Sequence, residues 1–153
     1  MSQPAERPIM ETILIADDAP DVLFLARDIL EARGYTVLTA SDGGAALQLA
    51  EGYDGPIHIV LADVVMPGLT GPELADRLRQ TRNETKVIFM SGYTTAVMDQ
   101  YGLLYSGAPF IGKPFTPDLL VRKVREVLDY RSPFSRRPAP ARPMVAAAAG
   151  AAA

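Results

Sequence analysis

From Thr12 onward, short apolar runs alternate with longer stretches in which apolar residues recur every three or four positions. The runs predict buried strands and the spaced stretches predict helices with one inward face. TILIA (Thr12–Ala16), TVLTA (Thr36–Ala40), IHIVLA (Ile57–Ala62), KVIFM (Lys86–Met90) and APFIG (Ala108–Gly112) are the five strands. The first helix is predicted over Pro20–Arg33, with Val22, Leu25, Ala26 and Ile29 facing inward, Asp18 as its cap, Pro20 in its first turn and Gly34 at its end. Asp42 is placed to cap a second helix from Gly43 to about Glu51. Thr70-Gly71-Pro72-Glu73 has the capping-box pattern and opens a third helix to about Gln80. A fourth, poorly periodic helix is predicted from about Thr95 to Tyr101, interrupted at Gly102. Thr116-Pro117 starts the last, with Leu120, Val124, Val127 and Leu128 on its inner face.

Five strands alternating with five helices predict an α/β fold, a doubly wound parallel sheet covered on both faces. The near-continuous apolar character of the strands agrees with burial on both sides. Residues 1–11 read as a flexible polar leader, 12–131 as the folded domain, and 132–153 as a disordered tail in which proline, arginine and alanine show no periodic apolar face.

Composition narrows the function classes. The 153 residues suit one domain with short tails. Fifteen Lys and Arg against 18 Asp and Glu give a net charge of -3, with no basic footprint for nucleic acid. With no cysteine, disulfides, CxxC redox chemistry and thiolate metal sites are excluded. No run reaches the ~18 apolar residues of a membrane span, and the start, MSQPAERPIMET, lacks the apolar core of a signal peptide. A soluble cytoplasmic protein without membrane contact is expected.

In an open parallel sheet the ligand site lies beyond the carboxyl ends of the strands. Asp17 and Asp18 follow the first strand, Asp63 the third, Ser91 the fourth and Lys113 the fifth, with Pro114 next. Each alone has an ordinary reading: an Asp-Asp pair as helix cap and solvated charge, a Lys-Pro as loop, a Ser-Gly as turn. In this order, on alternate elements, they converge on one edge. Three carboxylates held together raise one another's pKa, and a divalent cation resolves the conflict. Oxygen-only ligands suit Mg²⁺, with one further oxygen from a backbone carbonyl just after Asp63. One aspartate is then free to attack phosphorus and form an aspartyl phosphate. The metal and the lysine share the phosphoryl charge, and the Ser91 hydroxyl bonds the product.

These segments resemble the receiver domains of bacterial response regulators. ILIADDAPD resembles the family's first strand and acidic pair, and LADVVMPGLTG its D-x-x-M-P-G-x-x-G acceptor segment. VIFMSGY resembles the fourth strand with its Ser/Thr switch, and FIGKPF the fifth with its lysine. The resemblance covers about Thr12 to Arg131 and implies the flavodoxin-like strand order 2-1-3-4-5. It implies Asp63 as phospho-acceptor, Asp18 as a direct Mg²⁺ ligand, Asp17 as one acting largely through water, and the Val65 carbonyl as the backbone ligand. It further implies that Ser91 and Lys113 hold the phosphoryl group, that Phe110 is an aromatic switch, and that a cis peptide precedes Pro114. The implied donor is a histidine kinase or histidine phosphotransfer protein. Output goes through protein contact or phosphorelay, the chain is a monomer or weak dimer, and it is a switch rather than an enzyme.

Two departures stand out. The glycine-rich stretch from Tyr93 to Pro109 resembles C-terminal receivers of hybrid histidine kinases and single-domain receivers, and implies a mobile output face. The positions that orient hydrolytic water in the family are Val65 and Tyr93 here, and valine has no polar group, so slow self-dephosphorylation is expected. Two rivals stand beside this reading. An aspartyl-phosphate phosphatase needs a second acid where Val65 stands, and a pseudo-receiver would keep the fold without phosphorylation. Gly107–Lys113 imitates a P-loop, but Pro114 replaces its Ser or Thr and the stretch reads as strand. His58, the sole histidine, reads as a packed or edge strand residue.

Overall fold

A computed structural model describes residues 11–92 and 108–130. It contains β1 (Thr12–Ala16), α1 (Pro20–Glu31), β2 (Thr36–Ala40), α2 (Gly43–Gly52), β3 (Ile59–Asp63), α3 (Gly71–Arg79), β4 (Lys86–Ser91), β5 (Phe110–Gly112) and α4 (Pro117–Asp129). The strands form one parallel sheet in the order β2-β1-β3-β4-β5. Residues 1–10 of the expected leader, the helix expected from about Thr95 to Tyr101, Tyr93 and the tail lie outside the described residues, while Glu11, counted in the leader, is described and pairs with Arg125 at 3.2 Å.

The pleat of the central strands divides the core. Side chains alternate across a strand, so Ile13, Ile15, Ile59 and Leu61 face one side, where Leu23, Ala26 and Leu30 of α1 and Leu120, Val124 and Val127 of α4 cover them. Leu14, Val60 and Ala62 face the other, under Ala46 and Ala50 of α2 and Leu74 and Leu78 of α3. All five residues of β1 and of β3 are buried, which explains their unbroken apolar runs.

Several boundaries differ from expectation, each for a local reason. Helix α1 turns Leu23, Ala26 and Leu30 inward, while Leu25 stays 49% exposed. Leu25 lies a helical step of about 100° from Ala26, beyond the stripe that meets the sheet. Val22 and Ile29 pack only along its margin. Asp18 is not the cap of α1: the N-cap is Ala19, whose N–H is taken by Asp17 Oδ1 at 2.9 Å. The helix closes through a Schellman-type pair, Gly34 N–H to Glu31 O and Tyr35 N–H to Leu30 O, with Gly34 at φ 97°.

Strand β3 begins at Ile59, later than expected, because the first bond from β1 goes to the side chain of His58 and not to a backbone carbonyl. Its Nδ1 accepts the Thr12 N–H at 2.9 Å, while its own N–H donates to the Thr12 carbonyl. Strand β5 keeps only Phe110–Gly112 of the expected run. The caps at Asp42, Thr70 and Thr116 and the capping box to Glu73 form as the sequence implies.

Two long cations finish helix C-termini that lack basic residues of their own. Lys86 Nζ donates to the carbonyls of Val127 and Tyr130 at the end of α4, each at 3.0 Å. Arg82, beyond α3, reaches the end of α2: its guanidinium donates to the carbonyls of Ala50, Tyr53 and Gly55 at 2.9, 2.7 and 2.8 Å. Carbonyls at a helix C-terminus run out of intrahelical donors and carry the negative end of the helix dipole. Replacing Arg82 by Ala is expected to lower stability by about 2 kcal/mol, in the range for hydrogen bonds to a charged group. Arg82→Lys recovers only part of this, because an ammonium lacks the planar fork. Urea denaturation of the three proteins checks both expectations.

Candidate functional site

The register of the sheet brings the ends of β1, β3, β4 and β5 to one edge, and each end supplies a polar residue. Asp17 follows β1 and is completely buried. Its Oδ1 accepts from Ala19 N–H, its backbone N–H donates to Ala40 O at 3.2 Å, and its Oδ2 accepts from Lys113 Nζ at 3.0 Å. Asp18, next along, is exposed. Asp63 is the last residue of β3 and only 3% exposed. Its Oδ1 lies 3.3 Å from Lys113 Nζ, yet no well-aligned hydrogen bond reaches that buried oxygen.

Ser91 ends β4, is buried, and accepts the Lys113 backbone N–H on its carbonyl at 2.9 Å. Lys113 follows β5, and the Lys113–Pro114 peptide is cis, as the resemblance implies. One carboxylate oxygen from each of Asp17, Asp18 and Asp63 lies within 4.8 Å of the others. The acids and Lys113 therefore meet as expected. Val65 stands two residues past Asp63 in the loop to α3 and packs beside Val64, Ala75 and Phe89. Phe110, at the start of β5, is 37% exposed.

The electrostatics follow from this crowding. Burial, then the neighbouring Asp17 charge, push the Asp63 carboxyl up to about 6, against the opposing pull of Lys113. Burial works against the charge on Lys113, but the hydrogen bond to Asp17 and the Asp63 charge outweigh it, and its pKa is raised. The ammonium thus stays charged and bridges two acids. The orphaned Asp63 oxygen beside two further carboxylates is a donor set suited to a hard divalent cation.

Sequence reasoning assigned Lys113 to the phosphoryl group but did not foresee that its shorter contact is to Asp17. Nor did it foresee the Ala19 N–H that orients Asp17. Both depend on how β1 runs into α1, and no residue type marks them. The P-loop imitation is ruled out within the described residues, because Lys113 follows a strand and no helix begins until Pro117.

A doubly wound sheet with an acidic site at the carboxyl ends of its strands defines the class of protein. Residues 13–125 match the response regulator receiver domain family, and the chain belongs to that family, the receiver domains of two-component systems. It is 36% identical over 118 residues to the sensor kinase CckA of Brucella abortus, covering 77% of this chain and 12% of that protein. It is 34% identical over 119 residues to the transcriptional regulatory protein CpxR of Escherichia coli, covering 78% of this chain and 50% of the relative. The chain thus spans half or less of these relatives.

Among solved structures, the chemotaxis protein CheY4 of Vibrio cholerae superposes with a TM-score of 0.69 at 27% identity, covering 78% of this chain and 99% of that one. The receiver domain of the hybrid histidine kinase CckA gives 0.64 at 35% identity, covering 76% and 98%. Among the described residues no helix is long and apolar enough to cross a membrane.

The Asp63 pKa has a consequence for stability. A carboxyl whose folded pKa lies above its unfolded value of 3.8 binds the proton more tightly in the native state. The native state therefore loses stability as pH rises from about 4 to about 6, and the full loss persists above that. A shift of this size corresponds to about 3 kcal/mol. Asp63→Asn is therefore expected to be more stable than the parent at pH 7.5 by about 1–3 kcal/mol, the gap closing toward pH 4. Denaturant melts of both proteins across that range, without divalent cations, provide the check.

Proposed function

We propose that this chain accepts a phosphoryl group on Asp63 from the phosphohistidine of a histidine kinase or histidine phosphotransfer protein, with Mg²⁺ as cofactor. The observation that carries the reading is the buried Asp63 carboxylate, bridged to Asp17 by Lys113 and flanked by Asp18. The carboxylates of Asp17, Asp18 and Asp63 and the Val65 carbonyl would hold the metal. Bound there, it supplies positive charge that lowers the repulsion between the acids and the incoming phosphate.

In the transfer, an Asp63 oxygen attacks phosphorus in line as the P–N bond to the donor imidazole breaks. The bonding pair leaves with the imidazole nitrogen, which takes a proton, and the product is an aspartyl phosphate. Lys113 neutralises charge on the phosphoryl oxygens. The Ser91 hydroxyl bonds one of them, and Phe110 turns from its exposed position toward the space that Ser91 leaves. The added charge shifts an existing equilibrium of the β4–β5 face, which other proteins read by contact or by phosphorelay. The chain is a switch that turns over no substrate of its own, works without nucleic acid or membrane, and is a monomer or weak dimer in the cytoplasm.

Incubation with a small phosphoryl donor such as phosphoramidate and Mg²⁺ is expected to label the wild type and leave Asp63→Asn unlabelled, as read by intact mass. Chelation of divalent ions should abolish labelling. Lys113→Ala should label on the order of 10²-fold more slowly, the scale for removing one charge-stabilising donor. A wild type that takes up nothing would leave only a binding module with this fold.

Val65 offers no polar group to align water, so the phosphorylated form should lose its label over minutes or longer. Val65→Asn or Val65→Gln should shorten that lifetime. Decay of the wild type within seconds at room temperature would contradict this.

A further inference from the structure

The loop from Val64 to Thr70 carries the Val65 carbonyl and joins Asp63 to α3. It is gripped by two glycines, each the first residue of a helix. Gly71 opens α3, and its N–H donates to Val64 O at 2.9 Å. A Cβ on Gly71 would overlap the Asp63 carbonyl oxygen and come within 3.2 Å of Val64 Cα. Gly43 opens α2 and is buried. A Cβ there would fall 2.5 Å from the Leu69 carbonyl oxygen and 2.7 Å from Leu69 Cβ.

Neither glycine has a positive φ. Close backbone approach is thus what excludes a side chain at both positions. The adjacent Gly44 differs: its nearest outside atom would be Asp42 Oδ1 at 3.5 Å, an ordinary contact. In the run Asp42-Gly43-Gly44 only the first glycine is demanded by the acceptor loop.

We propose that Gly43 is a positioning residue for the phospho-acceptor site. The start of α2 presses on Leu69 and, with Gly71 at the other end, sets where the Val65 carbonyl stands relative to Asp63. The inference rests on the roles given to Asp63 and Val65 above. Adding a methyl group at Gly43 pushes Leu69, and with it the loop, away from α2. The contact lies on an element that supplies no ligand to the site, so it acts only through loop position.

The test compares the wild-type chain of 153 residues with Gly43→Ala and Gly44→Ala. Mg²⁺ titrations are followed by the amide resonances of Val64, Val65 and Leu69 and by phosphoramidate labelling. Thermal melts define the range in which each variant is folded. Gly43→Ala is expected to raise the half-saturating Mg²⁺ concentration about tenfold, as for the loss of an outer partner of a metal site, and to move the Val65 and Leu69 resonances. Gly44→Ala should stay within about twofold of the wild type.

Equal Mg²⁺ responses in the two variants would overturn the positioning role. So would a Gly43→Ala protein that fails to fold even in the cold, because the contact would then sustain the fold and not tune the site. Absence of labelling in the wild type would instead defeat the assignment of Asp63. The Mg²⁺ titration by resonance shift would still decide the role of Gly43.

Discussion

Three carboxylates meet at the edge of this sheet, two of them almost wholly buried, and Lys113 contacts both buried acids. Like charges in a poorly hydrated place are costly unless something opposes them. The ammonium does so in part: it hydrogen-bonds Asp17 and lies beside Asp63 without completing a bond to its nearer oxygen. The cluster is therefore stable enough to form and still short of positive charge. Under the proposed reading that shortfall is what the site would use, since a divalent cation, or a phosphoryl group with its cation, would meet acids already gathered there.

The sheet makes such an arrangement possible. Asp17 and Asp63 stand at the ends of neighbouring strands in register, Ile13 opposite Ile59 and Ala16 opposite Ala62. A one-residue slip would turn one of these acids to the opposite face. The register is protected because β1 and β3 are buried on both sides by apolar side chains that fit only one pairing. At the entrance to β3, His58 adds a side-chain bond to Thr12 that fixes where this pairing begins. Core packing and site geometry are thus one constraint viewed from two ends of the strands.

Much of this was legible in the sequence because the signals are local. Runs such as TILIA and IHIVLA marked the strands, and Thr70 with Glu73 marked the start of α3. The acids after β1 and β3 and Lys113 after β5 marked the edge where the site forms. What stayed hidden depends on tertiary contact. Leu25 fits the helical period as well as Leu23 does, and only the direction in which α1 leaves Asp17 decides which is buried. Asp18 looked like a cap because it precedes Pro20, yet the bond to Ala19 comes from Asp17, which Lys113 holds in place. The contrast between Gly43 and Gly44 was equally invisible, because it depends on a loop that returns from a distant part of the chain.

The same geometry bears on how an event at Asp63 reaches the surface. Ser91 and Lys113 are joined by a backbone hydrogen bond, and Phe110 sits opposite Phe89 in the short β4–β5 ladder. Asp63 itself pairs with Met90, the neighbour of Ser91. Under the proposed reading, a phosphoryl group on Asp63 would pull on Ser91 and Lys113 together, and these two end the strands whose alignment sets the exposure of Phe110. Strand β5 is a three-residue edge strand with little ladder to resist a shift. Strands β1 and β3 are held on both faces. On that reading a local charge change would be expressed at the weakly held edge of the sheet, while the buried centre would keep the acids in register.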